Sequence, residues 1–257
     1  MPLPPQVSPP EFALSDAAPS RQAGVLVAAV PVLPGPEGVA LGPGAAELAD
    51  DLDLDLLEVL AASGATGATG EVTELPVVRR EDRSVSTLTR VLMVGVGAAT
   101  TVDLRRAGAC LSRHTTNAES VASSVAAVGD DEAMAAFVEG ATLGSFSFSL
   151  HRDGPEHHPV GTIVLCLTAA DEERTARLGR AVAAAGAGWQ ARLLASVPSN
   201  IKTPAWLAEQ AVTAAQAAGL KATVLDEVQL AERGFGGIVG VGQAASVPPR
   251  FVQLEYS

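Results

Sequence analysis

The stretch Arg90–His114, RVLMVGVGAATTVDLRRAGACLSRH, decides the fold. Arg90–Val96 is an apolar, β-branched run of strand length, Gly95 and Gly97 punctuate its end, and from about Val102 to His114 the apolar positions Leu104, Ala107 and Leu111 share one helical face. Thr100 or Thr101 is available as the N-cap, a hydroxyl that accepts from an otherwise unpaired amide of the first turn. A strand that enters a helix through a glycine turn is half of a βαβ unit.

Working outward, the pattern repeats. Upstream, GVLVAAVPVL from Gly24 reads as a buried strand, and residues 45–62 place Leu48, Leu52, Leu56 and Leu60 at four-residue spacing, an amphipathic helical stripe with aspartates on other positions. The glycines of SGATGATGEV break it, and Val72–Val78 reads as a strand. Downstream, Val121–Val128 reads as a strand and Asp130 caps a helix to about Leu143. SFSFSLHRDGPEHHPV is a loop or hairpin, Thr162–Leu167 a strand, and Asp171 starts an Ala-rich helix that continues to about Leu194. Strands alternating with helices of this length predict an α/β fold with a mostly parallel sheet.

At ASVPSNIKT the helical pattern stops, because Pro198 has no amide donor and restricts the residue before it. Pro204 suits the first turn of a new helix, PAWLAEQAVTAAQAAG, which Gly219 closes. A strand KATVLD, a short helix around Glu227–Arg233, the glycine-rich GFGGIVGVGQ and a strand RFVQLEY follow.

Composition bounds the function. The 257 residues allow one large domain or one and a part, and a 47% hydrophobic content excludes disorder and disulfide scaffolds for most of the chain. No apolar run approaches the roughly 18–20 residues that span a bilayer. MPLPPQVSPP has five prolines but neither a basic region nor an apolar core, so a cytoplasmic protein without a membrane partner is expected. Seventeen Lys and Arg against 29 Asp and Glu give a formal charge of −12, which opposes phosphate backbones and anionic membranes, so no nucleic-acid partner is expected. Cys110 and Cys166 read as buried, reduced thiols.

Each candidate site competes with a plainer reading. Gly95-Val96-Gly97, between strand and helix, could bring backbone amides to an anion, but Thr100 stands where the dinucleotide fingerprint needs a third glycine. Gly64–Gly70 lacks the Lys-Ser/Thr of a P-loop. Asp51, Asp53 and Asp55 imitate a calcium loop, yet Leu56 and Ala62 occupy the positions that need glycine and glutamate. His151, Asp153, Glu156, His157 and His158 offer zinc-type donors in a Gly-Pro loop without HExxH, so an exposed polar loop is favoured. Cys110 and His114, four residues apart, fit one helical face without further chemistry, and no GxSxG elbow occurs.

The run from Leu193 to Ser257 resembles the opening of the catalytic domain of the leucyl aminopeptidases, the cytosol aminopeptidase family. There a segment like N-T-P-x-N-x-x-T-P-x-x-L-A precedes one like G-x-G-G-x-x-x-V-G-x-G-S-x-x-P-P-R-x-x-x-L-x-Y. Pro198, Asn200, Thr203, Pro204, Leu207 and Ala208 match the first, and Gly234, Gly236, Gly237, Val241, Gly242, Gln243, Pro248, Pro249, Arg250, Leu254 and Tyr256 the second. Ser196-Val197 replaces the usual Asn-Thr. RVLMVGVG with LRRAGA, and AFVEGATLGSFSF, resemble the family's N-terminal domain, whose fold is macro-domain-like.

Residues 1–20 read as a Pro-rich arm and 171–197 as a linker helix, and the resemblance, which excludes the arm, implies a macro-like N-terminal α/β domain over 21–170 and, over 198–257, the start of an incomplete second α/β domain. It also implies peptide substrates, a homo-oligomer, hexameric in the family, and two divalent ions, manganese, zinc or magnesium, which polarise the scissile carbonyl and activate water. The family's ligands lie in motifs like V-G-K-G-x-x-F-D-x-G-G and N-T-D-A-E-G-R, and this sequence contains neither. The expectation is therefore the N-terminal portion of such an exopeptidase, truncated where the first motif would begin, with no catalytic, cofactor-binding or metal residue of its own and no activity alone. The alternative is a non-catalytic macro-like module for oligomer contacts or small-ligand binding, with Gly95–Thr100 near the ligand.

Overall fold

The computed structural model describes residues 4–36, 38–77, 87–167 and 171–256. They form two compact units, one running to Gln190 and the other from Ala191 onward.

The first unit is built on a seven-stranded sheet. Its strands are β1 (Glu11–Ser15), β2 (Val27–Gly35), β3 (Gly38–Leu41), β4 (Val72–Pro76), β5 (Arg90–Gly95), β6 (Ser120–Ser123) and β7 (Thr162–Cys166). The order is β1-β7-β6-β2-β5-β4, with β3 paired to β2. The pairings from β1 to β5 are parallel, and β3 and β4 are antiparallel to their neighbours. The mostly parallel α/β fold read from the sequence is the one observed.

Register separates two cores. Val27 pairs with Arg90 and Ala29 with Leu92, so Ala29, Leu92 and Val94 face one side while Ala28, Val30, Val91 and Met93 face the other. The first side is covered by α3 (Thr101–His114), α4 (Asp131–Gly144) and the part of α5 (Glu172–Ser196) that belongs to this unit, through Leu104, Leu111, Phe137 and Leu178. The other is covered by α1 (Ala45–Leu52) and α2 (Leu56–Ser63), through Leu48, Leu56 and Leu60. Both faces being buried accounts for the continuous apolar runs of β2 and β5. α3 and α4 cross closely: a Cβ on Gly140 would lie 1.8 Å from the Arg105 carbonyl oxygen. At the far end Phe146 meets Trp189 edge to face, centroids 5.0 Å apart.

Several details depart from the sequence reading. Residues 45–62 form two helices, because Asp53 takes a left-handed φ of 54° and Asp55 caps the second through Leu57 N and Glu58 N. The leucine stripe survives the break, which is why it looked continuous. β6 stops at Ser123, and Val125–Val128 is a 3-10 turn in which Ser123 Oγ accepts from Val125 N. β4 ends at Pro76; Val78, expected within it, lies outside the described residues. Of the two possible caps, Thr100 is used. Glu11–Ser15, inside the proline-rich arm, forms β1 against β7, a strand missed because it is five residues long and sits among prolines.

The second unit contains α6 (Pro204–Ala217), β8 (Lys221–Leu225), α7 (Glu227–Glu232), α8 (Gly236–Gly242) and β9 (Phe251–Glu255). β8 and β9 pair antiparallel, Lys221 opposite Glu255. Phe235 stacks on Phe251 at 5.4 Å. The glycine-rich GFGGIVGVGQ is largely helical, yet none of the α8 residues is buried.

Candidate functional site

The two glycine turns weighed as phosphate loops pack against each other. Gly97 N donates to Gly67 O at 2.9 Å, Gly70 N to Gly95 O at 2.9 Å and Gly95 N to Glu71 O at 2.7 Å. The fit leaves no room for a side chain: a Cβ on Gly95 would lie 2.0 Å from Ala68 O, and Gly97 has φ 55°. Gly95 and Gly97 therefore serve backbone approach between two segments of the same chain.

Carboxylates already accept from Thr66 N, Ala68 N and Thr100 N at the two turns. Asp103 Oδ2 accepts from Thr100 N at 3.2 Å and Thr100 Oγ1 at 2.7 Å, Asp103 N donates back to Thr100 Oγ1, and Asp103 Oδ1 accepts from Thr69 Oγ1 at 2.7 Å. The hydroxyls of Thr69 and Thr100 hold the Asp103 carboxyl below the usual range. Across the turn, Glu71 Oε2 accepts from Thr66 N, Thr66 Oγ1 and Ala68 N at 2.9, 3.0 and 3.2 Å. Burial raises the Glu71 pKa, but the hydrogen bonds from Thr66, Gly67 and Ala68 outweigh it and the net shift is downward. A phosphate approaching either turn would meet a fixed negative charge. Thr69 and Glu71 were not singled out from sequence; the available signals were the T-x-x-D capping box at Thr100–Asp103 and the acid that closes GATGATG.

The other candidates separate into structural roles. Asp51 receives Ser20 Oγ at 2.6 Å and Arg21 Nε at 3.2 Å, Asp53 ends α1 and Asp55 caps α2, so the three carboxylates do not converge on a cation. The Arg21 hydrogen bond lowers the Asp51 pKa. Cys110 Sγ lies 3.0 Å from Gly70 O and 3.7 Å from His114 Nδ1, while that nitrogen is 3.0 Å from Cys110 O. Burial raises the Cys110 pKa and pushes Cys166 up to about 12, the opposite of an activated thiolate.

His151, Asp153, Glu156, His157 and His158 are exposed on an irregular segment in which Gly154 and Pro155 are buried. Among the described residues no three His, Cys, Asp or Glu side chains converge to hold a metal. The described residues thus do not fit the two-metal centre implied by the resemblance. In the second unit the matched residues build the local frame. Thr203 Oγ1 accepts from Trp206 N at 3.2 Å at the start of α6, Arg250 pairs with Glu227, and Pro249 lies so close to Gly242 that a Cβ there would be 2.7 Å from its ring. No helix among the described residues is long and apolar enough to cross a membrane.

Two family models match the chain: the cytosol aminopeptidase family, N-terminal domain, over residues 27–154, and the cytosol aminopeptidase family, catalytic domain, over residues 189–257. A "Probable cytosol aminopeptidase" of Rhodococcus erythropolis is 32% identical over 247 residues, covering 93% of this chain and 47% of that protein. One of Nocardia farcinica is 35% identical over 218 residues, covering 82% and 42%. The chain spans about half the length of the curated relatives it matches. Among solved structures, the bottromycin maturation enzyme BotP in complex with Mn superposes with TM-score 0.68 at 27% identity, over 91% of this chain and 46% of that one. A mutant tomato leucine aminopeptidase superposes with TM-score 0.77 at 21% identity, over 98% and 52%, a likeness of fold.

Proposed function

The chain belongs to the cytosol aminopeptidase family, and from that premise we propose that it forms the N-terminal domain and the opening of the catalytic domain of a metal-dependent exopeptidase that releases N-terminal amino acids from peptides. The observation that carries the reading is the succession of the two family matches, 27–154 and then 189–257, along one polypeptide. On this reading 1–20 is an arm, 21–170 the N-terminal domain, 171–197 a linker helix and 198–257 the beginning of the catalytic domain.

The residues that bind the two divalent ions, manganese, zinc or magnesium, lie outside these 257, and the 257 alone are inactive. Support comes from the acidic side chains singled out above: Asp51, Asp55, Glu71 and Asp103 are engaged with an arginine, with helix N-termini or with loop amides. A homo-oligomer, hexameric as in the family, working in the cytoplasm completes the proposal.

Purified chain incubated with manganese and leucine p-nitroanilide is expected to give no chelator-sensitive turnover; robust, chelator-sensitive turnover would overturn the inactivity. A chimera joining residues 1–257 to the remaining half of the Rhodococcus erythropolis relative is expected to cleave the same substrate. A chimera that assembles and binds manganese yet cleaves neither this substrate nor peptides would overturn the exopeptidase reading. The small-ligand module is the weaker alternative, because the turn at Gly95–Thr100 is filled by Gly67–Glu71. Calorimetry with ADP-ribose at high micromolar concentration is expected to show no heat; a saturable signal would revive it.

A further inference from the structure

We infer that the proline-rich arm over residues 4–10 is a strap that fastens the irregular segment 149–158 across a groove beside β1 and β7, with Gln6 as its latch. The segment has no helix or strand of its own, so its backbone order must come from elsewhere. Gln6 and Asn117 supply it at its two ends, the first through its side-chain amide and the second through its backbone N–H and side-chain oxygen. Gln6 Nε2 donates to Ser149 O at 2.7 Å and to Pro4 O at 3.0 Å, while Gln6 Oε1 accepts from Ser149 N at 3.2 Å. At the other end Asn117 N donates to His158 O at 2.9 Å and Asn117 Oδ1 accepts from His158 N at 2.8 Å. Each clamp satisfies both backbone groups of one residue, as a strand neighbour would.

Between the clamps the backbone amides of the segment make short-range bonds, His151 N to Ser149 Oγ and Gly154 N to His151 O, both 3.0 Å, and His157 Nδ1 lies 3.4 Å from Asn117 Nδ2. The arm also runs directly against it: a Cβ on Gly154, where φ is 82°, would sit 3.0 Å from Pro5 O. Beneath lies a groove of about 560 Å³, bounded by Pro5, Val7 and Pro9 of the arm and by Asp153 and Pro155 of the segment. A proline-rich arm is preorganised, so docking orders few extra torsions, and its release is governed by the few hydrogen bonds it makes. The groove's opening is therefore coupled to one side chain in the arm.

Hydrogen exchange and limited trypsinolysis of the whole chain test this with Gln6→Ala and Asn117→Gly, the latter chosen because Asn117 has φ 64°. Losing the two-way Gln6 clamp is expected to accelerate exchange at residues 149–154 roughly tenfold and to quicken cleavage after Arg152, with β2 and β5 unchanged. Asn117→Gly is expected to accelerate exchange near His158 and leave Ser149 protected. Unaltered exchange at 149–154 in Gln6→Ala, or acceleration spread equally to β2 and β5, would overturn the strap.

Discussion

Thr69 and Asp103 are joined by a 2.7 Å hydrogen bond from the Thr69 hydroxyl to Asp103 Oδ1, across 34 residues of sequence. The same carboxylate closes the capping box of α3 with Thr100. One side chain thus fixes a helix start and the glycine turn packed on it. Asp103→Ala removes the box and the acceptor for Thr69, and the expected loss is about 1–2 kcal/mol in urea denaturation. A midpoint and slope identical to the parent chain would contradict this account.

The carboxyls of Asp51, Glu71 and Asp103 are all held below their usual range. A depressed native pKa contributes stability that is present above the unfolded value and lost as pH falls through the native one. Unfolding free energy is therefore expected to fall as pH is lowered below about 4.5, where unfolded carboxylates take up protons first. The slope there should be shallower in Asp103→Ala. Equal slopes in thermal midpoint against pH would remove Asp103 from the explanation.

Gly140 and Gly179 make an internal control for helix crossing. A Cβ on Gly140 would lie 1.8 Å from Arg105 O, whereas one on Gly179 meets nothing within 4 Å. Gly140→Ala is expected to cost about 3 kcal/mol, because α3 and α4 must move apart. Gly179→Ala is expected to add about 0.5–1 kcal/mol by helix propensity. Denaturation midpoints that shift in the same direction for both would show that propensity, and not the crossing, sets the effect.

The fold was legible because β2 and β5 are buried on both faces and α3 carries its cap and apolar stripe in one short window. The two-helix break at Asp53 was not, since the leucine spacing is preserved through a single left-handed residue. The short β1 escaped because its order comes from pairing with Thr162–Cys166, far along the chain. Among the candidate sites, the glycine turns are visible in the sequence as punctuation between strand and helix, but the segments that they pack against are not. Gly67–Gly70 and Gly95–Gly97 belong together only because β4 and β5 are antiparallel neighbours. The helicity of Gly236–Gly242 runs against glycine's propensity, and nothing local in the sequence announces it.

Cys110 and Cys166 are buried, with pKa values raised by that burial, Cys166 to about 12. Neither is expected to react with a disulfide reagent at pH 8 while the chain is folded, and both should titrate after denaturation. Rapid stoichiometric labelling of the native chain would show that the sheet and α3 open far more readily than their packing implies.

The two units differ in how much apolar surface they hide, and exchange should register it. The first buries Phe137, Leu92, Met93, Leu104 and Ile163 completely, within two cores. In the second, Leu225 and Leu230 are the large buried aliphatics along α6, β8, α7, α8 and β9, while Val241 and Tyr256 are 87% and 91% exposed. Opening free energy scales with the apolar burial that must be undone, so β8 and β9 amides are expected to exchange at least tenfold faster than those of β2 and β5. Protection factors for Thr223 and Val252 equal to those for Val30 and Met93 would mean that β8 and β9 draw stability from contacts other than their own small core.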